Sequence, residues 1–233
     1  MNEKLVWFTG APGSKWSGSA NILQAITKFN FNLTDRTPER EYQHTGPTPL
    51  AKGITHTGAY FGPGHGLGEN FHQLDTILPS VVEEEILSKW QDSSWGYFLV
   101  KSHFFTHQLD YISSVWPNNT IIMITRPNEA CIRGWFGAGG WDISYPDYRP
   151  YYKDDTRMKQ LIAEHNAKIF EFCSKHNVAM EKLTANYLKE KFNWTVDDIL
   201  DPEHQAWVYK HLVHTEGTDD VKIAIYNFKN LSF

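Results

Sequence analysis

An apolar run followed at once by a glycine-rich segment limits most strongly how this chain can fold. The run LVWF occupies residues 5–8, and GAPGSKWSGSANIL follows at residues 10–23. This order fits a short buried strand, a tight turn and a helix N-terminus, which is the layout of a phosphate-binding loop. The standard ATP-binding loop is G-x-x-x-x-G-K-[ST], whereas here Lys15 replaces its second glycine and Trp16 replaces its lysine. The segment therefore predicts an anion site that differs from an ATP site.

Two further apolar runs extend this pattern into an α/β fold. YFLV at 97–100 and IIMI at 121–124 have the length of strands, and helical periodicity is present at residues 18–29, 80–90, 106–115 and 158–176. The alternation predicts a P-loop-type, doubly wound parallel sheet flanked by helices, with ligands at the carboxyl ends of the strands. A length of 233 residues suits a single domain that spans 1–233.

Composition excludes several other classes of protein. The net charge of −5 argues against a general affinity for nucleic acid or for an anionic membrane. We find no apolar run near the roughly 20 residues of a membrane span, and no pattern of a signal peptide. Cys131 and Cys173 follow no metal or redox spacing. We therefore expect buried, reduced thiols in a cytoplasmic protein.

Residues 36–74 do not follow the alternation of strands and helices. They form a long insertion rich in Gly, Pro, His and Thr, and loops of such length are usually functional or disordered. Its aromatic residues favour a lid or a loop that shapes a substrate pocket. The separations between its histidines are 12, 9 and 7 residues, which match no common metal-ligand pattern, so we expect no metal site at His44, His56, His65 and His72.

Positive charge follows each of the other two predicted strands. YFLV is followed by Lys101, Ser102 and His103, and IIMI is followed by Thr125 and Arg126. A kinase or ATPase of this fold needs an acidic residue at such a strand end to hold Mg²⁺. Cations at both ends instead predict an anion bound directly by side chains. The structural alternatives are a strand-end histidine without a catalytic role for His103 and a salt bridge for Arg126.

These three segments, in this order, resemble the cytosolic sulfotransferases. GAPGSKWSGS is similar to their 5′-phosphosulfate loop of the form P-K-[SA]-G-T, and LVKSHFF is similar to their K-[ST]-H segment. TIIMITRPNEACIRGW is similar to their strand–Arg–helix segment, which grips a 3′-phosphate. The resemblance covers the sheet-forming parts of the chain up to this third segment.

The resemblance implies a donor, a reaction and a set of site residues. The donor would be 3′-phosphoadenosine 5′-phosphosulfate (PAPS), and its sulfuryl group would pass to a hydroxyl or amine of a small-molecule or glycan acceptor without a metal. His103 would be the general base, and Lys101 and Lys15 would be catalytic cations. The donor would be bound by residues of the loop and of the third segment, namely Gly13, Ser14, Lys15, Ser17, Gly18, Ser19, Arg126 and Arg133.

The sequence also departs from the family pattern. Trp16 separates Lys15 from the Ser17-Gly18 pair by one residue more than the pattern has. Gly134 stands where a serine is expected after Arg126, so that Arg133 would substitute for it, and IAIYNFKNLSF lacks the family's Arg-Lys-Gly segment. The alternative functions are a nucleotide or small-molecule kinase with a degenerate phosphate loop and a non-catalytic nucleotide-binding or assembly protein.

Overall fold

A six-stranded sheet forms the centre of the computed structural model, which describes residues 2–36, 56–62, 66–142, 148–215 and 220–228. The strands are β1 (Leu5–Gly10), β2 (Ala59–Tyr60), β3 (Phe98–Lys101), β4 (Thr120–Thr125), β5 (Met180–Lys182) and β6 (Lys222–Tyr226). Their order across the sheet is β2-β3-β1-β4-β6-β5. The strand that precedes the glycine-rich segment therefore lies inside the sheet, between β3 and β4.

The strands nearest this segment are parallel. β1 pairs in parallel with both β3 and β4, and β2 pairs in parallel with β3. Phe8 lies opposite Lys101 in the register of β1 and β3, and Gly10 lies opposite Ile124 in that of β1 and β4. Because parallel neighbours end at the same edge of a sheet, the loops after β1, β3 and β4 meet there. The predicted α/β architecture is confirmed at this level.

Helices flank the sheet on both faces. They are α1 (Trp16–Ala25), α2 (Pro79–Leu87), α3 (Leu109–Val115), α4 (Asn128–Gly137), α5 (Arg149–Tyr152), α6 (Asp155–Lys175), α7 (Ala185–Phe192) and α8 (Pro202–Thr215). Short 3₁₀ helices lie at Thr27–Phe29, Gly66–Thr76, His103–His107, Gly140–Asp142 and Val196–Asp198. The Asp154 side chain caps α6 by accepting a hydrogen bond from the Arg157 N–H (2.8 Å). Within the described ranges, none of these helices is long and apolar enough to cross a bilayer.

The sheet separates two apolar cores because alternate residues of a strand face opposite sides. Val6 and Phe8 of β1 belong to the core that α1, α7 and α8 cover. Leu5 and Trp7 belong to the core that α2, α3 and α6 cover. Burial on both faces explains why residues 5–8 of β1 are all apolar rather than alternating with polar residues. A third, smaller cluster joins α4, α5 and the start of α6 beside the loop after β1.

The far side of the sheet differs from the prediction of a parallel arrangement. β6 runs antiparallel to both of its neighbours, β4 and β5. A short apolar run does not record strand direction, and a long connection allows either direction. The edge strand β5 carries Glu181 and Lys182, which are exposed, and charged side chains protect such an edge from pairing with other chains.

Part of the insertion at residues 36–74 is regular structure rather than loop. Ala59 and Tyr60 form β2, and a 3₁₀ helix runs from Gly66 to Thr76. A strand of two residues is too short to show the alternation that identifies a strand in a sequence. Residues 37–55 and 63–65, with His44 and His65, lie outside the described residues, so the lid remains a prediction.

Both cysteines are free, buried thiols, as expected. Burial raises the pKa of Cys131 and of Cys173 to about 11. At neutral pH both groups therefore stay protonated, which is the unreactive form of a thiol.

Candidate functional site

The loop between β1 and α1 lies directly against the backbone of α4. Gly13 has a φ of +75°, and a Cβ at this position would lie 1.9 Å from the carbonyl oxygen of Cys131. Glycine is required because no side chain fits so close an approach. The Ser14 N–H donates to the Ala11 carbonyl (3.1 Å) and closes a turn that contains Gly13.

Lys15 has the backbone conformation of a glycine. Its φ is +62°, in the left-handed region, and it is the N-cap residue of α1. This conformation costs a non-glycine residue about 1–3 kcal/mol and is concentrated at functional sites. Lys15 occupies the position of the second glycine in the ATP-binding loop, so the turn is kept while a half-buried cation is added to it.

The first turn of α1 favours a bound anion. Its N-terminus has no side-chain cap and no acidic residue, so the backbone amides and the helix dipole present positive charge. Ser17 is buried in this turn, and the Ser19 hydroxyl donates to the Lys15 carbonyl (3.0 Å). The buried Oγ of Ser14 has no hydrogen-bond partner among the described residues.

Gly18 allows α8 to pack closely against the first turn of α1. A Cβ at Gly18 would lie 2.1 Å from Cε1 of His211. The glycine is therefore needed for helix packing, and any contact with a donor would come from its backbone amide.

Trp16 packs inward and links the loop to the end of β3. Its indole lies on the imidazole of His103, with 3.8 Å between ring centroids and 30° between planes. Phe8 stacks on the indole at 6.0 Å, and Nζ of Lys101 lies 5.5 Å from the ring centroid. At this distance the ammonium is attracted to the electron-rich face of the ring. In the sequence, Trp16 is visible only as an interruption of the loop pattern.

His103 is held in one orientation by the first residue of the loop. Its Nδ1 is hydrogen-bonded to the Gly10 carbonyl, and a carbonyl only accepts, so Nδ1 carries the proton. In the neutral ring Nε2 is then the proton acceptor. Burial lowers the pKa of His103 from 6.5 to about 3; the Gly10 bond opposes this, and the charge of Lys101 adds to it. The ring is therefore neutral at pH 7.

Lys101 is completely buried at the carboxyl end of β3. Its backbone carbonyl accepts the Phe61 N–H (2.8 Å), which continues the pairing of β2 with β3. Ser102, the next residue, has a structural role: its carbonyl accepts the Thr9 hydroxyl (2.7 Å), and its Oγ accepts the Phe104 N–H (3.2 Å). The hydrogen bonds of Ser102 thus hold the backbone between Lys101 and His103 in place.

Arg126 fastens the glycine-rich loop to α4. It follows β4, is 9% exposed, and donates through Nη1 to the carbonyls of Gly13 (3.2 Å) and Ala130 (2.9 Å). Its own carbonyl accepts a hydrogen bond from the Asn166 side chain (2.9 Å). The arginine therefore has a structural function in holding the loop, and its guanidinium lies at the same sheet edge as Lys101 and His103.

Gly134 explains one departure from the sulfotransferase pattern. A Cβ at this position would lie 2.5 Å from the Gly13 carbonyl oxygen and 2.8 Å from Nη1 of Arg126. A serine would therefore collide with the contact that positions the loop. Arg133, the predicted substitute, is exposed on α4.

The structure thus brings most predicted site residues to one sheet edge, as parallel strands require. It adds aromatic and histidine side chains around His103 that carried no recognisable spacing in the sequence. Tyr60 and Tyr148 lie with their ring centroids 6.2 and 6.1 Å from that of His103, and their hydroxyls are 3.0 Å apart. Only the fold joins β2, the start of α5 and α6 at this point.

Comparisons with known proteins identify no relative. No protein-family model, no curated protein and no solved structure matches the chain. Among the residues that the structure describes, no group of three or more His, Cys, Asp or Glu side chains could hold a metal ion.

Proposed function

We propose that this chain is a sulfotransferase that uses PAPS and an acceptor hydroxyl or amine. One observation carries the proposal: the Gly10 carbonyl at the end of β1 holds Nδ1 of His103, which leaves Nε2 as a proton acceptor on a ring that feels the charge of Lys101. This hydrogen bond thereby connects the proposed anion-binding turn to the proposed base, which follows the buried Lys101 by two residues.

The loop supplies the contacts that a 5′-phosphosulfate needs. The uncapped first turn of α1 offers backbone amides, with Lys15 as the charge at its start and Ser17 within it. Charge-assisted hydrogen bonds of this kind are shorter and stronger than neutral ones. Arg126 is the candidate cation for the 3′-phosphate, since it lies beside Gly13 at the same edge. Arg133 stays a candidate for that group from the exposed side of α4.

The neutral His103 suits the proton transfer that sulfuryl transfer requires. PAPS, when bound, supplies the sulfuryl group. The acceptor oxygen or nitrogen forms its bond to sulfur while Nε2 takes the acceptor proton, and the bond from sulfur to the bridging phosphate oxygen breaks. Lys101 and Lys15 would offset the negative charge that develops on the transferred group and on the departing oxygen. The anionic donor would also raise the pKa of His103, which makes the ring a stronger base when the donor is present.

The position of Trp16 favours this proposal over a kinase. In an ATP-binding loop the lysine at this position reaches the β- and γ-phosphates. Here the position holds an indole, 7% exposed and packed on Phe8 and His103. Such a side chain offers a transferring phosphoryl group no charge.

Ligand-dependent thermal unfolding tests the proposal without knowledge of the acceptor. We expect 3′-phosphoadenosine 5′-phosphate, the desulfated donor, to stabilise the chain by about 2.7 kcal/mol at 100 times its Kd. For a chain of this size the gain is about 5–11 °C in Tm. EDTA should leave this shift unchanged, because the proposed contacts need no metal.

Two lysine variants serve as a matched pair in this assay. Lys15→Ala should reduce the shift, whereas Lys28→Ala, which removes the same charge from an exposed position beyond α1, should not. A larger shift with ATP and Mg²⁺ than with 3′-phosphoadenosine 5′-phosphate would refute the sulfotransferase and support the kinase.

A further inference from the structure

A line of three histidines leads from the candidate base to the surface. The ring centroids of His103 and His165 are 6.4 Å apart, and those of His165 and His107 are 4.9 Å apart. His103 and His107 begin and end one 3₁₀ helix, and His165 comes from α6, which packs beside it. The three rings are therefore adjacent because of how these two elements meet.

The middle histidine is not explained by packing alone. His165 is fully buried, and neither of its ring nitrogens has a hydrogen-bond partner among the described residues. Leaving polar atoms unpaired in a protein interior costs about 1–3 kcal/mol each, so most are paired with protein or ordered water. A leucine or phenylalanine would fill such a site without this cost.

The outer histidine connects the line to solvent. His107 is partly exposed and lines an open groove between its 3₁₀ helix and α6, together with Asp110, Lys168 and Glu171. The groove is lined by the 3₁₀ helix, α3 and α6, whereas the glycine-rich loop contacts the His103 ring through Trp16. A proton that reaches this groove would therefore leave the protein beside α3 and α6, away from the glycine-rich loop.

We propose that His165 and His107 form a proton path that connects His103 to this groove. The inference rests on the proposed role of His103 as the base. The spacing of His103 and His165 is too long for a direct N–H···N bond and suits one bridging water. The proton leaves Nε2 of His103 and passes through this water to one nitrogen of His165. It leaves from the other nitrogen of His165 when this ring and that of His107 rotate into hydrogen-bond contact, and it reaches solvent from His107. Each ring ends neutral, so no charge stays buried.

The surroundings of His165 and His107 favour the neutral rings, so a proton would pass through these histidines without staying on either of them. Burial lowers the pKa of His165 well below its ordinary value, and His107, His103 and Arg157 lower it further. Burial also lowers the pKa of His107, while Glu164 opposes this, and Lys168, His72 and Arg157 add to it. Both rings are therefore neutral at rest and able to accept a proton at one nitrogen.

Proton exchange at His103 tests the path with no donor or acceptor present. In protein labelled with ¹⁵N in its histidine rings, the Nε2 signal of His103 is identified by its loss in His103→Gln, and the rate at which this nitrogen gains and loses a proton is measured by ¹⁵N relaxation dispersion near pH 5, where a small fraction of the rings is protonated. We expect His165→Asn and His165→Phe to slow this exchange by about tenfold or more, because it must then wait for local opening. The Asn side chain is polar and can hold water, but it cannot relay a proton. Slowing in His165→Asn would therefore be caused by loss of the relay rather than by loss of bound water.

His107 gives a second test on a side chain that is less buried. His107→Asn should slow the exchange in the same way, and added imidazole should restore it by entering the open groove, which it cannot do for His165→Asn. His176→Asn changes a histidine at the C-terminal end of α6, the helix that carries His165, and should leave the exchange unchanged. Unchanged exchange in the His165 and His107 variants, or slowing in His176→Asn as well, would overturn the path. Because no ligand is used, that result would leave the sulfotransferase proposal to the thermal-shift assay.

Discussion

Replacing Lys15 by glycine should stabilise the free protein and weaken donor binding at the same time. The left-handed conformation of Lys15, with φ of +62°, costs a residue with a Cβ about 1–3 kcal/mol. Glycine adopts this conformation freely but loses about 0.5–1 kcal/mol more backbone entropy on folding. The difference is a net gain of about 1 kcal/mol for Lys15→Gly, which raises Tm by about 2–4 °C.

Donor binding should change in the opposite direction. A hydrogen bond to a charged group contributes about 1.5–3 kcal/mol, so removal of the Lys15 ammonium should weaken binding of 3′-phosphoadenosine 5′-phosphate by about 10- to 100-fold. Calorimetric titration gives the Kd, and thermal unfolding without ligand gives the Tm. Lys15→Ala is the matched control, because it loses the same ammonium but keeps the Cβ and therefore gains no stability.

The Tm without ligand and the Kd together decide whether the strained backbone at Lys15 serves donor binding. A more stable Lys15→Gly with unchanged affinity would refute the role of Lys15 in donor binding. A Lys15→Gly that is no more stable than Lys15→Ala would refute the argument from backbone strain, whatever the affinity.

Two further predictions concern the base and its surroundings. The pKa of His103 is about 3 in the folded chain and near 6.5 when unfolded, so stability should fall as pH falls from 6.5 towards 3, by up to about 1.4 kcal/mol per pH unit from this residue. His103→Gln should lose less Tm than the wild type between pH 6.5 and 4, and equal losses would contradict the assigned pKa. Gly134→Ser, which introduces the serine of the sulfotransferase pattern, should lower the free energy of unfolding by about 1–3 kcal/mol through overpacking against Gly13 and Arg126. Denaturant unfolding measures this, with Gly137→Ser in the last turn of the same helix as the control.

The sequence predicts the inner half of the fold well because burial on both faces leaves a simple signal. β1, β3 and β4 each contain a continuous apolar run, and polar residues follow each run at the edge where parallel strands end. Once the strands are assigned, the meeting of Lys15, Lys101, His103 and Arg126 follows from strand direction alone. No such signal marks β6, whose antiparallel direction depends on how the chain returns from α8.

The contacts around His103 could not be predicted because they join distant segments. Trp16, Tyr60, Tyr148 and His165 come from α1, β2, the start of α5 and α6, and no spacing in the sequence relates them. The second function of Arg126 was missed for the same reason. Its charge suggested a ligand, while the carbonyls that its Nη1 contacts belong to Gly13 and Ala130.

The extra residue between Lys15 and the Ser17-Gly18 pair is accommodated in the loop rather than in the helix. Lys15 takes the left-handed turn, Trp16 becomes the first residue of α1, and Ser17, Gly18 and Ser19 stay within the helix's first turns. The uncapped amides of that turn are therefore kept, although the sequence pattern around them has changed. The side chain of the extra residue, Trp16, also has a structural role, because its indole packs on the ring of His103. Under the proposed function, any movement of the loop on binding an anion would thus reach His103 directly through Trp16.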